Sequence, residues 1–111
     1  MFIAMNRFRV AHGREAEFEA LWRGRPSHIA NEPGFVAFDL LKGPSRDDHT
    51  LFASHTVWRD KAAFEAWTKS DAFRAAHAGA GAAKGMNLGH PEFEGFEAIA
   101  DLSLAITPEA A

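Results

Sequence analysis

Apolar and polar positions alternate along the first ten residues. Phe2, Ala4, Asn6, Phe8 and Val10 share one parity, and Ile3, Met5, Arg7 and Arg9 the other, which predicts a strand with one amide on an otherwise apolar face. Gly13 breaks it, and the period lengthens: Phe18, Leu21 and Trp22 form the i, i+3, i+4 stripe of a helix over Glu15–Arg25. Pro26 and Ser27 interrupt that helix, and Asn31-Glu32-Pro33-Gly34 is a turn signal. Phe35 to Lys42 is apolar on both parities except at Asp39, as in a strand of a sheet covered on both faces. The polar run Gly43 to His49 has the length of a hairpin loop into a third strand, Thr50–Trp58. Asp60 is placed to cap a helix through Trp67, with Ala63, Phe64 and Trp67 on its inner side; Ser70 offers a second cap, for a separate short helix over Asp71–His77. Residues 78–91 are small and Gly-rich, which predicts a mobile loop rather than a core element. A last strand is expected from Phe93 to Ile106.

The resulting order, βαββαβ, predicts an α+β ferredoxin-like domain spanning residues 1–111, an antiparallel sheet with helices on one face. The second, third and fourth strands carry apolar residues on both parities, so the uncovered face of a monomer would be a large hydrophobic patch. A homodimer closed sheet to sheet, as a β-barrel, is the expected solution.

Composition narrows the chemistry. In 111 residues, 47% are hydrophobic, enough for a single core without staples. A formal charge of −3 carries no basic excess for nucleic acid. The absence of cysteine excludes disulfides, iron–sulfur clusters, thiolate nucleophiles and thiolate zinc sites. The apolar MFIAM start is cut short by Asn6, Arg7 and Arg9, so neither a signal peptide nor a membrane span is expected and the protein is placed in the cytoplasm. The six His contain no i, i+4 pair of the kind that binds zinc on a helix. Aromaticity comes from ten Phe and three Trp without Tyr, which favours apolar walls over phenol chemistry.

Against that background three residues stand out. Asn is disfavoured in strands, and Asn6 on an apolar parity must find a partner: a neighbouring backbone group, a bulge or a ligand. Trp67 is a core residue of its helix or one wall of a pocket. His77 is a solvated imidazole stabilised at a helix C-terminus or a metal ligand. In one continuous helix Trp67 and His77 would lie roughly 15 Å apart along the axis and about 80° apart around it, so joint service to one ligand requires a break near Ser70. An aromatic wall followed by a lone imidazole points to a flat, metal-centred ligand such as heme. Arg25 and Arg23 are candidates for carboxylate pairing, with solvent the better expectation for Arg23; His28 lines the pocket or sits on the surface. His12, His49 and His90 fall in predicted turns without chemistry, and His55 is expected as a hydrogen-bonded histidine of the dimer interface.

The MNRF of the first strand, the EPGF turn at residues 32–35 and the AFEAW…KSDAFRAAH run from Ala63 to His77 resemble the IsdG-type heme-degrading monooxygenases, within the antibiotic-biosynthesis monooxygenase group of dimeric α/β barrels. The resemblance covers most of the chain and includes the Asn–Trp–His triad, here Asn6, Trp67 and His77. It implies that heme is both substrate and cofactor, with His77 the proximal iron ligand and Asn6 and Trp67 facing the ring from the distal side. It further implies O2 as oxidant, an external electron-donating reductase, meso-carbon opening and iron release, with a biliverdin-like product preferred. Two alternatives remain open: a cofactor-independent monooxygenase of a polycyclic quinol, and a heme carrier without turnover.

Overall fold

β1 (Phe2–Ala11) lies inside a four-stranded antiparallel sheet, between β3 (His49–Trp58) and β4 (Glu92–Glu97), and β2 (Phe35–Ser45) forms the far edge, giving the order β2-β3-β1-β4. This computed structural model describes residues 1–24, 28–77 and 85–104. Three helices join the strands: α1 (Glu15–Arg23), α2 (Lys61–Thr68) and α3 (Asp71–His77), with short 3-10 turns at Ile29–Asn31 and Ala100–Leu102. The fold is ferredoxin-like, as the order of the sequence pattern implies. Among the described residues no helix is long and apolar enough to cross a membrane.

The parity of β1 sets the two sides of the sheet. Phe8, Val10 and Phe52 meet Phe18 of α1 in one buried cluster with Met86, flanked by Leu21, Trp22 and Leu40. Phe2, Ala4 and Trp58 form a second cluster beneath α2, flanked by Ile29, Phe35, Ala63, Phe64 and Trp67. Burying each large apolar side chain contributes about 1.5–3 kcal/mol. Between the clusters, on the same face, register places Phe93, Asn6, Ser54 and Leu40 side by side across the four strands. The opposite face carries Ile3, Met5, Ala37, Leu41, Ala53, Val57 and Phe96, interspersed with an Arg7–Glu94 ion pair and the Asp39–His55 pair.

Gly34 locks the α2 side of the sheet. Its φ of +81° suits glycine, a Cβ there would come within 2.5 Å of the Ala63 Cβ, and its carbonyl accepts the Arg59 N–H at 2.7 Å, tying the start of β2 to the end of β3.

Several boundaries differ from the sequence reading. α1 ends at Arg23, where the Gly24 N–H bonds back to the Ala20 carbonyl. The hairpin is tighter than expected: β2 continues to Ser45 and His49 already belongs to β3, because the Arg46 N–H bonds the His49 carbonyl. β4 starts at Glu92 and stops at Glu97, and a 3-10 turn follows, whereas a strand to Ile106 was expected; Ile106 lies outside the described residues. Of the expected loop over 78–91, residues 78–84 lie outside the described residues, but 85–88 are not peripheral. Met86 is buried in the α1 cluster, and its carbonyl accepts the Ala11 N–H while the Leu88 N–H bonds the Arg9 carbonyl, both at 2.7 Å. β4 pairs with β1 only from Phe2 to Arg7, so the remaining β1 edge recruits this segment to satisfy its backbone groups.

Candidate active site

The break between α2 and α3 is built from two side chains. The Asp60 carboxylate accepts the Ala63 N–H at 2.8 Å and starts α2. The Ser70 hydroxyl then donates to the Trp67 carbonyl at 2.6 Å and accepts the Phe73 N–H at 3.1 Å, closing one helix and opening the next with one oxygen. The change of direction brings the Trp67 and His77 ring centroids to 6.1 Å, a separation that a continuous helix could not reach.

His77 ends α3 with its side chain exposed. Its Nδ1 lies 2.7 Å from the Phe73 carbonyl oxygen. A carbonyl only accepts, so this contact places a proton on Nδ1, and in the neutral imidazole it leaves the Nε2 lone pair free to donate to an electrophile. The Phe73 ring stacks on the imidazole at 4.0 Å and 28°, and meets Trp67 edge-on at 4.8 Å.

Trp67 also packs on Trp58 at 5.4 Å and Phe64 at 6.3 Å. The two indoles differ in one respect. Trp58 Nε1–H donates to the Thr56 hydroxyl at 3.1 Å, whereas Trp67 Nε1 is buried with no hydrogen-bond partner among the described residues. An unmet buried donor costs about 1–3 kcal/mol.

Asn6 sits on the same side of the sheet, half-buried, opposite Ser54 on β3 and Phe93 on β4. Phe93 stacks on Phe64 at 5.7 Å and 7°, so a run of rings leads from beside Asn6 to Trp67 and His77. The pairing of β1 passes through Asn6 without a register shift on either side, so no bulge forms there, and among the described residues its carboxamide makes no hydrogen bond.

The remaining candidates separate clearly. Arg25 lies outside the described residues. Arg23 pairs with Glu19 at 3.2 Å on the α1 surface, as expected of a solvated charge. His28 is exposed at the start of the 3-10 turn. His55 is not hydrogen-bonded as expected: its buried Nδ1 has no such partner among the described residues, and the Asp39 carboxylate stands 3.6 Å away. At the far end of the molecule, His12 is raised above the usual imidazole range, chiefly by the Arg46 carbonyl it meets at 2.6 Å. Glu15 is held down to about 2 by a hydrogen bond from its own backbone N–H, then by the Thr50 hydroxyl at 2.9 Å. Among the described residues no three His, Asp or Glu side chains are placed to hold a metal ion together.

Phe73, Ser54 and Phe93 were not singled out from the sequence. Phe73 was findable, because position i−4 of a helical histidine shares its face. Ser54 and Phe93 join the site only through strand register, which one chain's pattern does not supply.

The chain matches the antibiotic biosynthesis monooxygenase family over residues 1–79. It is 32% identical over 77 residues to the mycobilin-producing heme oxygenase of Mycobacterium tuberculosis, covering 69% of this chain and 70% of that one. It is 40% identical over 60 residues to deoxynogalonate monooxygenase of Streptomyces nogalater, covering 54% and 48%. Among solved structures, the heme-degrader MhuD of M. tuberculosis with two hemes bound in its active site superposes with a TM-score of 0.68 at 30% identity, over 95% of this chain and all of that one. The cofactor-independent oxygenase SnoaB of S. nogalater gives 0.63 at 31%, over 88% and 92%. A four-stranded ferredoxin-like sheet, a broken second helix and matches of this extent together place the chain in the antibiotic biosynthesis monooxygenase family.

Proposed function

We propose that this protein is a heme-degrading monooxygenase that binds heme as substrate and cofactor, opens the porphyrin at a meso carbon with O2 and external electrons, and releases the iron. The observation that carries the reading is the His77–Trp67 pair: an imidazole whose Nδ1 proton is committed to a backbone carbonyl, leaving Nε2 as a metal donor, beside an indole whose buried N–H has no acceptor among the described residues. The groups present suit heme, which wants one neutral imidazole, apolar walls and few polar contacts.

Bound heme supplies the redox chemistry with O2. His77 would hold the iron through Nε2, with its Nδ1 hydrogen bond fixing the ring, the arrangement that orients ligating histidines generally. Asn6, whose carboxamide makes no hydrogen bond among the described residues, would offer its NH2 group from the sheet floor as a hydrogen-bond donor to the bound ligand. Trp67, backed by Trp58 and Phe64, would form an apolar wall that presses on the bound ligand from a packed support. Arg25 is proposed as a propionate partner. A reductase provides electrons, the working unit is a single-domain homodimer closed over the outer sheet face, and the compartment is the cytoplasm.

Hemin titration of the purified protein tests this. A stoichiometric Soret band is expected in the wild type and its ligated form should be lost in His77→Ala; ascorbate or a reductase in air should then bleach it and release chelatable iron. A band that persists under those conditions would indicate a carrier. Mass spectrometry of the extracted tetrapyrrole separates the biliverdin-like product proposed here from the mycobilin for which the relative is named. The likeness to SnoaB and to deoxynogalonate monooxygenase favours a second reading, a polycyclic quinol in the same pocket with His77 as base, which the absence of any Soret shift would select.

A further inference from the structure

The imidazole of His77 is exposed, on the last residue of a seven-residue helix, yet it is oriented. An exposed side chain at a helix end ordinarily samples several rotamers, and a neutral imidazole so freed exchanges between its two tautomers. Here a single residue opposes both freedoms. The backbone carbonyl of Phe73 takes the Nδ1 proton at 2.7 Å, and the Phe73 ring lies against the imidazole at 4.0 Å and 28°. Phe73 is in turn held by the edge-on face of Trp67 at 4.8 Å, and Trp67 by the fully buried Trp58 at 5.4 Å. The order of support therefore runs from the core to the exposed nitrogen: Trp58, Trp67, Phe73, His77.

We infer that Phe73 is the positioning residue that presets His77 as an Nε2 donor before any ligand arrives, and that through it the packing of Trp67 sets the direction of the imidazole. This deepens the heme reading and rests on it for its purpose, though not for its test. The backbone carbonyl alone is insufficient, because every helical residue has one at i−4; the stacked ring is what keeps the imidazole within reach of it. Preset orientation removes ordering cost from ligation, and loss of such a supporting contact lowers metal affinity about 10- to 100-fold.

The decisive measurement uses the protein without hemin. Side-chain ¹⁵N shifts of the histidines, recorded at about pH 8.5 where an ordinary imidazole is neutral, report the tautomer directly. Wild-type His77 is expected as the Nδ1–H form. Phe73→Leu keeps an apolar side chain and helix propensity but removes the flat ring, and should shift His77 toward a mixture of tautomers; Phe73→Trp should restore the wild-type signal. Hemin dissociation, followed by transfer to excess apomyoglobin, should be about tenfold faster in Phe73→Leu and recover in Phe73→Trp. If Phe73→Ala loses helix content by circular dichroism, the Leu and Trp variants still decide the matter. An unchanged His77 tautomer in a folded Phe73→Leu overturns the assignment, as does wild-type His77 in the Nε2–H form. A wild type that gives no Soret band overturns the heme reading instead and leaves the tautomer result standing.

Discussion

The two aromatic clusters on the inner face of the sheet have similar composition and opposite completeness. Under α1, Phe18, Phe52 and Val10 are almost wholly buried, and several polar groups around them are paired: Arg14 with Glu17, Glu15 with Thr50, and Gly13 N–H with Glu15; the buried Asn87 Oδ1 beside Met86 is an exception among the described residues. Under α2 and α3, among the described residues, only Phe2, Ala4 and Trp58 of the cluster are buried, the rings above them are half open, and the Trp67 indole N–H has no acceptor. Tight packing and satisfied donors make a foundation. An incompletely closed cluster with orphan donors is where a flat ligand completes the structure, and the Asn6–Ser54 row lies along the seam between the two.

The contrast is sharpest if one half can be weakened without touching the other. Phe18→Ala should cost about 3–5 kcal/mol, read as a lower urea midpoint, while the folded protein still binds hemin with unchanged stoichiometry. A loss under 1 kcal/mol would mean that the α1 cluster is not the foundation. Asn6→Ala should do the reverse, leaving stability and hemin binding near wild type and slowing turnover about 100-fold, the scale for removing one preorganised donor. Retained turnover would return Asn6 to a structural role. Trp67→Phe keeps an aromatic wall and removes the orphan N–H; a flatter bound heme by resonance Raman and several-fold slower ring oxidation are expected, and an unchanged rate would refute the pressure assigned to this side chain.

The smallest effect concerns acid. The Glu15 carboxyl is held at about 2 against an ordinary 4.5, so its contribution is fully present above pH 4.5 and disappears as pH falls through about 2. Glu15→Gln should therefore lower the urea midpoint at pH 7 and narrow its gap from wild type between pH 4.5 and 2. Parallel curves would show that the carboxylate does not anchor the α1 half.

Much of this was legible in one dimension because local chemistry writes itself into short windows. The alternating parity of β1, the Phe18 stripe of α1, and the Asp60 and Ser70 caps each depend on residues within a few positions, and each appears where periodicity or capping placed it. The helix break followed from the Ser70 cap, and from rise and rotation per residue once Trp67 and His77 were taken to serve one ligand. Less was legible wherever backbone groups sought partners from afar. Met86 entered the core because β1 outruns β4, and β4 ended early, outcomes of strand pairing that composition does not encode.

The sequence by itself determined the order of elements, the break at Ser70 and the residue types of the site, since these follow from periodicity, capping and the chemistry each side chain can perform. Only the tertiary structure decided which nitrogen of His77 meets a carbonyl, that among the described residues Trp67 rather than Trp58 has an unmet donor, and that Ser54 and Phe93 flank Asn6. The neighbours of Asn6 exist only once sheet register has brought distant strands together, and the two local contacts depend on rotamers that the packing of the surrounding rings selects.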